Sequence, residues 1–199
     1  MIKFKEIKVS LKDIELTFND GHFKKNNITF ISGKNGHGKT TLLRALASLL
    51  PFEGDAEING EITYNSQEPV IFHRTVRENI LYPLKVRKLE IEPYEDKIKE
   101  YVSKLEITHL LNVNATKLSS GEKMKVSIIR SIIFNPDIVL LDEPTTHLDI
   151  DSIHALEALI TSLKDKITFV IVSHNEAFMK ALIDDEYKVG EDNVSRKIN

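Results

Sequence analysis

Cysteine is absent from the 199 residues. That excludes disulfides, a thiolate nucleophile and Cys-ligated zinc together, and leaves a reducing, cytosolic setting as the expectation. An excess of positive charge is also missing: 27 Lys and Arg against 30 Asp and Glu leave a formal charge of -3. No nucleic-acid partner is therefore expected of the kind held by neutralising many phosphates. Apolar runs stay far short of the 18 or so residues a membrane-spanning helix needs, and the start alternates from Ile2 to Glu6 where a signal peptide would be continuously apolar. Neither a spanning segment nor an export signal is expected. The seven histidines are scattered, and none pairs with acids at metal-ligand spacing. What is present is a hydrophobic content of 41%, enough to bury a core, so a single folded domain over 1–199 is expected.

Ile2, Phe4, Ile7 and Val9, then Ile14, Leu16 and Phe18, alternate as two strands, and Asn19-Asp20-Gly21 follows with turn chemistry. This predicts an antiparallel β layer. Ile28 to Ser32 is a β-branched and aromatic run, and Leu42, Leu43, Leu46, Leu49 and Leu50 recur at helical spacing up to a stop at Pro51. Residues 61–65 read as a strand. From 73 to 118 the chain becomes charged and helical, with Tyr94 to Leu105 the clearest segment, and this stretch is the candidate subdomain. Beyond it come a helix (122–134), an Asn135-Pro136 break, a buried-type strand (138–141), a helix (151–163), a strand (167–172) and a further helix. Strands alternating with helices predict parallel pairing and an α/β core. Tyr187 to Ile198, with Gly190 central, predicts a terminal hairpin.

Between the strand ending at Ser32 and the helix after it lies Gly33-Lys34-Asn35-Gly36-His37-Gly38-Lys39-Thr40, which fits G-x-x-x-x-G-K-[ST] in the strand-to-helix context that pattern needs. Glycines let successive N–H groups curl around an anion, and the helix start adds its positive dipole end. A nucleoside triphosphate is the natural ligand. Lys39 would reach the β and γ oxygens, the Thr40 hydroxyl would bind Mg²⁺, and Thr41 would add phosphate contacts. His37 reads as a variable loop position. Further on, Ile138-Val-Leu-Leu141 ends in Asp142-Glu143, two carboxylates at the edge where open α/β sheets bind ligands. Asp142 is placed on the hydrated Mg²⁺ and Glu143 on the attacking water.

With Leu118-Ser119-Ser120-Gly121-Glu122 ahead of the two-acid strand, the chain resembles the nucleotide-binding subunit of ATP-binding cassette (ABC) proteins, whose signature is usually Leu-Ser-Gly-Gly-Gln. Gln67 then looks like the Q-loop residue, Thr146-His147-Leu148-Asp149 like the D-loop, and Ser173-His174 like the switch histidine; Thr75 to Ile80 matches the segment after the Q-loop. The resemblance implies an α/β P-loop NTPase (RecA-like) core with an N-terminal antiparallel β layer and an inserted α-helical subdomain. It also implies that two copies sandwich two ATP head to tail, Leu118, Ser119, Ser120 and Gly121 of one facing the γ-phosphate held by the other. Gln67 would reach Mg²⁺ or water, His174 the γ-phosphate, and Asp149 would cross the seam. Ser120 and Glu122 depart from the signature, and Glu122 brings negative charge near a nucleotide. The family usually stacks an aromatic on adenine; nothing aromatic lies between Phe4 and Phe18.

The implied activity is hydrolysis of ATP to drive solute transport through separate integral membrane permease subunits, with import slightly favoured. The expected location is the cytoplasmic face of the cell membrane, held there by those permeases. The compact layout resembles a minimal cassette without an accessory regulatory domain. A soluble ABC ATPase acting on nucleic acid or ribosomes is the alternative, disfavoured by the single cassette and the net acidity. A P-loop kinase would leave the signature and D-loop idle.

Overall fold

The computed structural model describes residues 1–12 and 14–190, and the backbone of 194–196. Two sheets pack against each other over one core, and the second sheet backs onto another. In the first, β1 (Ile2–Leu11) pairs antiparallel with β2 (Ile14–Phe18) and β3 (Gly21–Phe23). Ile2, Phe4, Ile7 and Val9 point inward, as their alternation predicts; the frame shifts once, at Glu6, whose φ is 43°. Such an outward bulge re-aims the strand.

The second sheet is wholly parallel. Its strands are β4 (Ile28–Ser32), β6 (Ile62–Asn65), β7 (Ile138–Asp142), β8 (Thr168–Val172) and β9 (Asp185–Lys188), in the spatial order β6-β7-β8-β4-β9. Both faces are covered, so the central strands read as continuous apolar runs. Ile138, Leu140, Val170 and Val172 face the antiparallel layer and α1 (Lys39–Leu46); Val139, Leu141, Phe169 and Ile171 face the helices of the other core. That second core is built by α2 (Val76–Val86), α3 (Glu95–Lys104), α4 (Ser120–Ile132), α5 (Ile150–Leu163) and α6 (Glu176–Leu182).

Three expectations are corrected. The leucine-spaced helix ends at Leu46, not Pro51: Ser48 takes a φ of 57° and Leu49 is 54% exposed, so the chain turns out of the helix before the proline acts. A strand at Glu53–Ile58, β5, was not expected; it pairs antiparallel with β1. The terminal stretch forms no hairpin among the described residues: β9 runs parallel beside β4, whereas β10 (Val194–Arg196) pairs with β2 in the other sheet. Residues 191–193 and 197–199 of that expected hairpin lie outside the described residues.

Candidate functional site

Because β4, β6, β7 and β8 run parallel, the residues following each are delivered to one edge of the sheet. After β4 comes the phosphate loop, after β6 Gln67, after β7 Glu143, and after β8 Ser173 and His174. A cavity of about 480 Å³ opens there, lined by Asn35, Gly36, Gly38, Lys39, Thr40, Thr41, Gln67, Glu143 and His174, with Leu11, Ile14, Leu16 and Val172 completing the wall. The loop is shaped by left-handed backbone at Gly36 (φ 82°) and Gly38 (φ 94°), a region open to glycine without strain. At Gly38 a side chain is excluded a second time, since a Cβ would stand 2.9 Å from Leu16. Gly38 is also the N-cap of α1 and brings no side-chain cap bond, leaving the first N–H groups of the helix for an anion.

Lys39 folds back over the loop. Its ammonium donates to the carbonyls of Gly33 at 2.7 Å and Lys34 at 3.1 Å. Burial holds its pKa below the ordinary lysine value, against the pull of Glu143 and Asp142. A cation held by two neutral carbonyls is ready to exchange them for phosphate oxygens. The Thr40 hydroxyl donates to Asp142 Oδ1 at 3.1 Å, and the Tyr64 phenol donates to Asp142 Oδ2 at 2.9 Å. Burial raises the Asp142 pKa, while the bonds from Tyr64 and Thr40 and the charge of Lys39 oppose the rise. Tyr64 is pushed upward by its own burial and by that carboxylate, so the phenol keeps its proton. Thr40 and Asp142 thus present hydroxyl and carboxylate oxygens side by side, with the Gln67 amide on the shared rim. This is a donor set of hard oxygens suited to Mg²⁺ completed by phosphate and water.

Glu143 has a φ of 51°, an uncommon backbone for a residue with a side chain. Its N–H is fixed to Val172 O at 2.8 Å. The side chain is nearly buried: Oε2 accepts from the His174 N–H at 3.1 Å, while Oε1 makes no hydrogen bond, with His174 Nε2 3.3 Å away outside bonding geometry. Thr145 and Ser173 hydroxyls meet at 3.3 Å and tie the two strand ends together. Glu143 lines the cavity, and a buried carboxylate with one oxygen left without a hydrogen bond is suited to accept a proton.

The remaining expected residues lie elsewhere. Leu118 is buried in the helical core at 5% exposure, so its side chain does not face a nucleotide; of the four signature residues it is the one the fold withdraws. Ser119, the N-cap of α4, is exposed. Its backbone N–H and its hydroxyl both donate to Glu122 Oε2 at 2.8 Å, and its oxygen accepts from the Glu122 N–H at 3.3 Å, a reciprocal capping box. These bonds hold Glu122 below the usual carboxylate range. Ser120 lines a separate cleft with Gln67, Lys123 and His147, and Gly121 lies against the D-loop, where a Cβ would meet His147 O at 2.6 Å. Asp149 caps α5, accepting from the Ser152 N–H at 2.8 Å. None of the residues 118–121, nor Asp149, lines the cavity of the phosphate loop. Within that loop, the His37 ring is half-buried and its Nδ1 makes no hydrogen bond.

Sequence reasoning missed Tyr64, and it missed the frame that carries Gln67. Asn65, buried just before the Q-loop, accepts from the Ser127 hydroxyl on α4 and donates to Met124 Sδ at 3.4 Å. Arg130, one turn along, donates to Val70 O at 2.6 Å and stands 5.2 Å from the Phe72 ring centre. Asn79 on α2 exchanges bonds with Phe72, accepting from its N–H at 3.0 Å and donating to its carbonyl at 3.2 Å. The loop after Gln67 is therefore clamped to α2 and α4.

Comparison with known proteins places this geometry. The family model described as ABC transporter matches residues 11–146. The tungstate uptake system ATP-binding protein TupC of Peptoclostridium acidaminophilum is 36% identical over 173 residues, covering 81% of each chain. The phosphate import ATP-binding protein PstB of Saccharolobus solfataricus is 33% identical over 194 residues, 84% of this chain and 74% of that one. Among solved structures, an ATP-binding subunit of an ABC transporter has the same fold, with a TM-score of 0.86 at 21% identity over 95% of this chain and 85% of that one. An archaeal ribosome recycling factor, solved with a ribosomal stalk protein, superposes with a TM-score of 0.81 at 27% identity; the match covers 94% of this chain but 36% of the other.

Proposed function

The chain belongs to the ABC transporter family as an ATP-binding, ATP-hydrolysing subunit, and from that premise we propose that it drives uptake of a solute through membrane permease subunits, working as a dimer closed around two ATP. The observation that carries this is the split of the machinery. Lys39, Thr40, Gln67, Glu143 and His174 share one cavity, whereas Ser119 to Gly121 stand outside it, so a copy completes its site only with the signature of a twin.

In this reading Gly33 to Thr41 bind the triphosphate, and Lys39 leaves the Gly33 and Lys34 carbonyls for the β and γ oxygens. Thr40, Asp142 and Gln67 would hold Mg²⁺, which supplies charge neutralisation on the phosphate oxygens. The Glu143 carboxylate takes the proton of the attacking water. His174 holds Glu143 through its backbone N–H and leaves its half-exposed ring for the γ-phosphate. Asp149 crosses to the partner copy. The whole chain acts as one nucleotide-binding domain, with residues 73–118 as the helical subdomain against which a permease rests. No helix among the described residues is long and apolar enough to cross a membrane, so attachment to the cytoplasmic face would be peripheral. Uptake is favoured because TupC and PstB are named for uptake of tungstate and import of phosphate.

The test is Glu143→Gln with Lys39→Ala as its companion. Glu143→Gln is expected to bind ATP, lose about 10² or more in turnover and run as a dimer on sizing columns with ATP. Lys39→Ala is expected to lose nucleotide binding. Wild-type turnover in the first, or unchanged affinity in the second, refutes the assignment. Solubilisation from membranes in mild detergent without a co-purifying integral protein refutes the transport role, and co-purification with ribosomes would put the soluble alternative in its place.

A further inference from the structure

Asp142 ends β7 and is 1% exposed, so each of its oxygens needs a partner inside the protein. The partners come from different elements. Oδ1 accepts from the Thr40 hydroxyl, at the start of α1, at 3.1 Å, and Oδ2 accepts from the Tyr64 phenol, on the edge strand β6, at 2.9 Å. Tyr64 pairs with Leu140 across the parallel ladder, and alternate side chains of a strand share a face, so the phenol reaches diagonally past Leu140 to Asp142. Tyr64, Asp142 and Thr40 line a second cleft, of about 450 Å³, which shares Thr40 and Gln67 with the phosphate-loop cavity. The phenol therefore stands beside the residues assigned to Mg²⁺ without being one of them. A carboxylate gripped at both oxygens has its plane set, and it cannot turn both of them onto one cation without giving up the phenol.

We propose that Tyr64 is a positioning residue, which fixes the orientation of the Asp142 carboxylate and so sets how strongly the nucleotide site distinguishes Mg²⁺ from the larger Ca²⁺. The proposal rests on the nucleotide-site reading above. Its physical basis is the different demand each ion makes on a carboxylate. Mg²⁺ requires a near-ideal octahedron and keeps several of its waters, so one well-aimed carboxylate oxygen serves it, whereas Ca²⁺ takes more ligands in looser geometry and readily grips a carboxylate by both oxygens. With Oδ2 held by the phenol, the first demand is met and the second is not. Removing the hydroxyl leaves Oδ2 buried without a donor, which is costly, and a cation that takes both oxygens relieves that cost. Tyr64 thus works against the larger ion, and its loss favours that ion selectively.

The experiment is calorimetric titration of the full chain with the imido analogue of ATP, in Mg²⁺, in Ca²⁺ and in chelator without either, for wild type, Tyr64→Phe and Lys39→Ala. Wild type is expected to bind the Mg²⁺ complex more tightly than the Ca²⁺ complex. Tyr64→Phe is expected to shift the ratio of the two affinities by about tenfold towards Ca²⁺, the worth of one charge-assisted hydrogen bond, with affinity in chelator unchanged. A role confined to holding the fold together would weaken both complexes by one common factor. An unchanged ratio in folded Tyr64→Phe, a shift towards Mg²⁺, or a wild type without preference therefore overturns the proposal. Tyr64→Met, which also lacks a donor, takes the place of the phenylalanine variant should that one fail to fold. Retained binding in Lys39→Ala, or wild-type binding no tighter in Mg²⁺ than in chelator, instead overturns the nucleotide-site reading, so the two failures are distinguishable.

Discussion

Glu122 stands where the family signature usually carries glutamine, and Glu122→Gln is the most informative single perturbation. The carboxylate accepts from both the N–H and the hydroxyl of Ser119 at 2.8 Å. A phosphate oxygen taking a hydrogen bond from that same hydroxyl would stand about 4–5 Å from a full negative charge, a repulsion of about 1 kcal/mol in water and about 4 kcal/mol at an effective dielectric of 20. Since Ser119 is exposed, the lower end applies, about 1–2 kcal/mol per site. In the proposed dimer two sites would close, doubling the effect to about 2–4 kcal/mol, or roughly 30-fold to 10³-fold in the dimer dissociation constant. Glutamine keeps an oxygen acceptor in the capping box, so the start of α4 is preserved while the charge is removed. The assay is sedimentation velocity with ATP in a Glu143→Gln background, where hydrolysis does not reopen the dimer. Glu122→Gln is expected to dimerise at lower protein concentration, with an advantage that shrinks as salt screens the charge in the parent chain. Equal or weaker dimerisation, with an unchanged far-ultraviolet spectrum, refutes the placement of Ser119 on a nucleotide.

Three further outcomes follow from the geometry. Burial lowers the pKa of free Lys39, and triphosphate charge raises it on binding, so the free and bound states differ in protonation where the pH lies between the two values. As pH rises through the free value, ATP binding is expected to take up a proton and weaken, read by calorimetry in alkaline buffers of different ionisation enthalpy; no uptake, or uptake retained in Lys39→Arg, refutes this. Tyr64→Phe removes one of the two donors to Asp142 and is expected to cost about 1–3 kcal/mol in urea denaturation without nucleotide; an unchanged midpoint shows the bond to be idle. Gly121→Ala drives a methyl to within 2.6 Å of His147 O, so a loss of about 1–3 kcal/mol is expected in thermal melts, and a variant as stable as wild type would show that the D-loop moves freely.

The phosphate loop was legible because its chemistry is carried by backbone shape, and backbone shape is written in glycines at fixed spacing. The acids Asp142 and Glu143 were legible because a buried strand cannot end in two charges without reason. Strand β5 was not, since Glu-Gly-Asp-Ala-Glu-Ile lacks apolar alternation and its residues are largely exposed; only its pairing with β1 makes it a strand. Leu49 and Leu50 continue a helical period, yet the backbone leaves the helix at Ser48, a decision taken by local torsion that apolar spacing does not encode. The terminal segment turned on partner choice: β9 finds an open edge beside β4, and sequence patterns do not rank distant edges. Tyr64 falls inside the strand expected over residues 61–65 and carried no signal of its own. Its role depends on β6 and β7 lying side by side in register. One signal was available and carried more than was taken from it: Thr75-Val-Arg-Glu78 and Ser119-Ser-Gly-Glu122 both spell capping boxes, and both form.

Helix α4 carries Ser119 at its first turn and Ser127 and Arg130 two to three turns later, the latter pair holding Asn65 and Val70. Thirteen residues at 1.5 Å each make a rod of about 20 Å with no proline or bend-forming break inside it. Val70, which is 69% exposed, is thus joined through Arg130 and the rod to the serine at its far end. In the proposed dimer, the outer surface at Val70 and the contact of Ser119 with a neighbour's phosphate would be the two ends of a single lever.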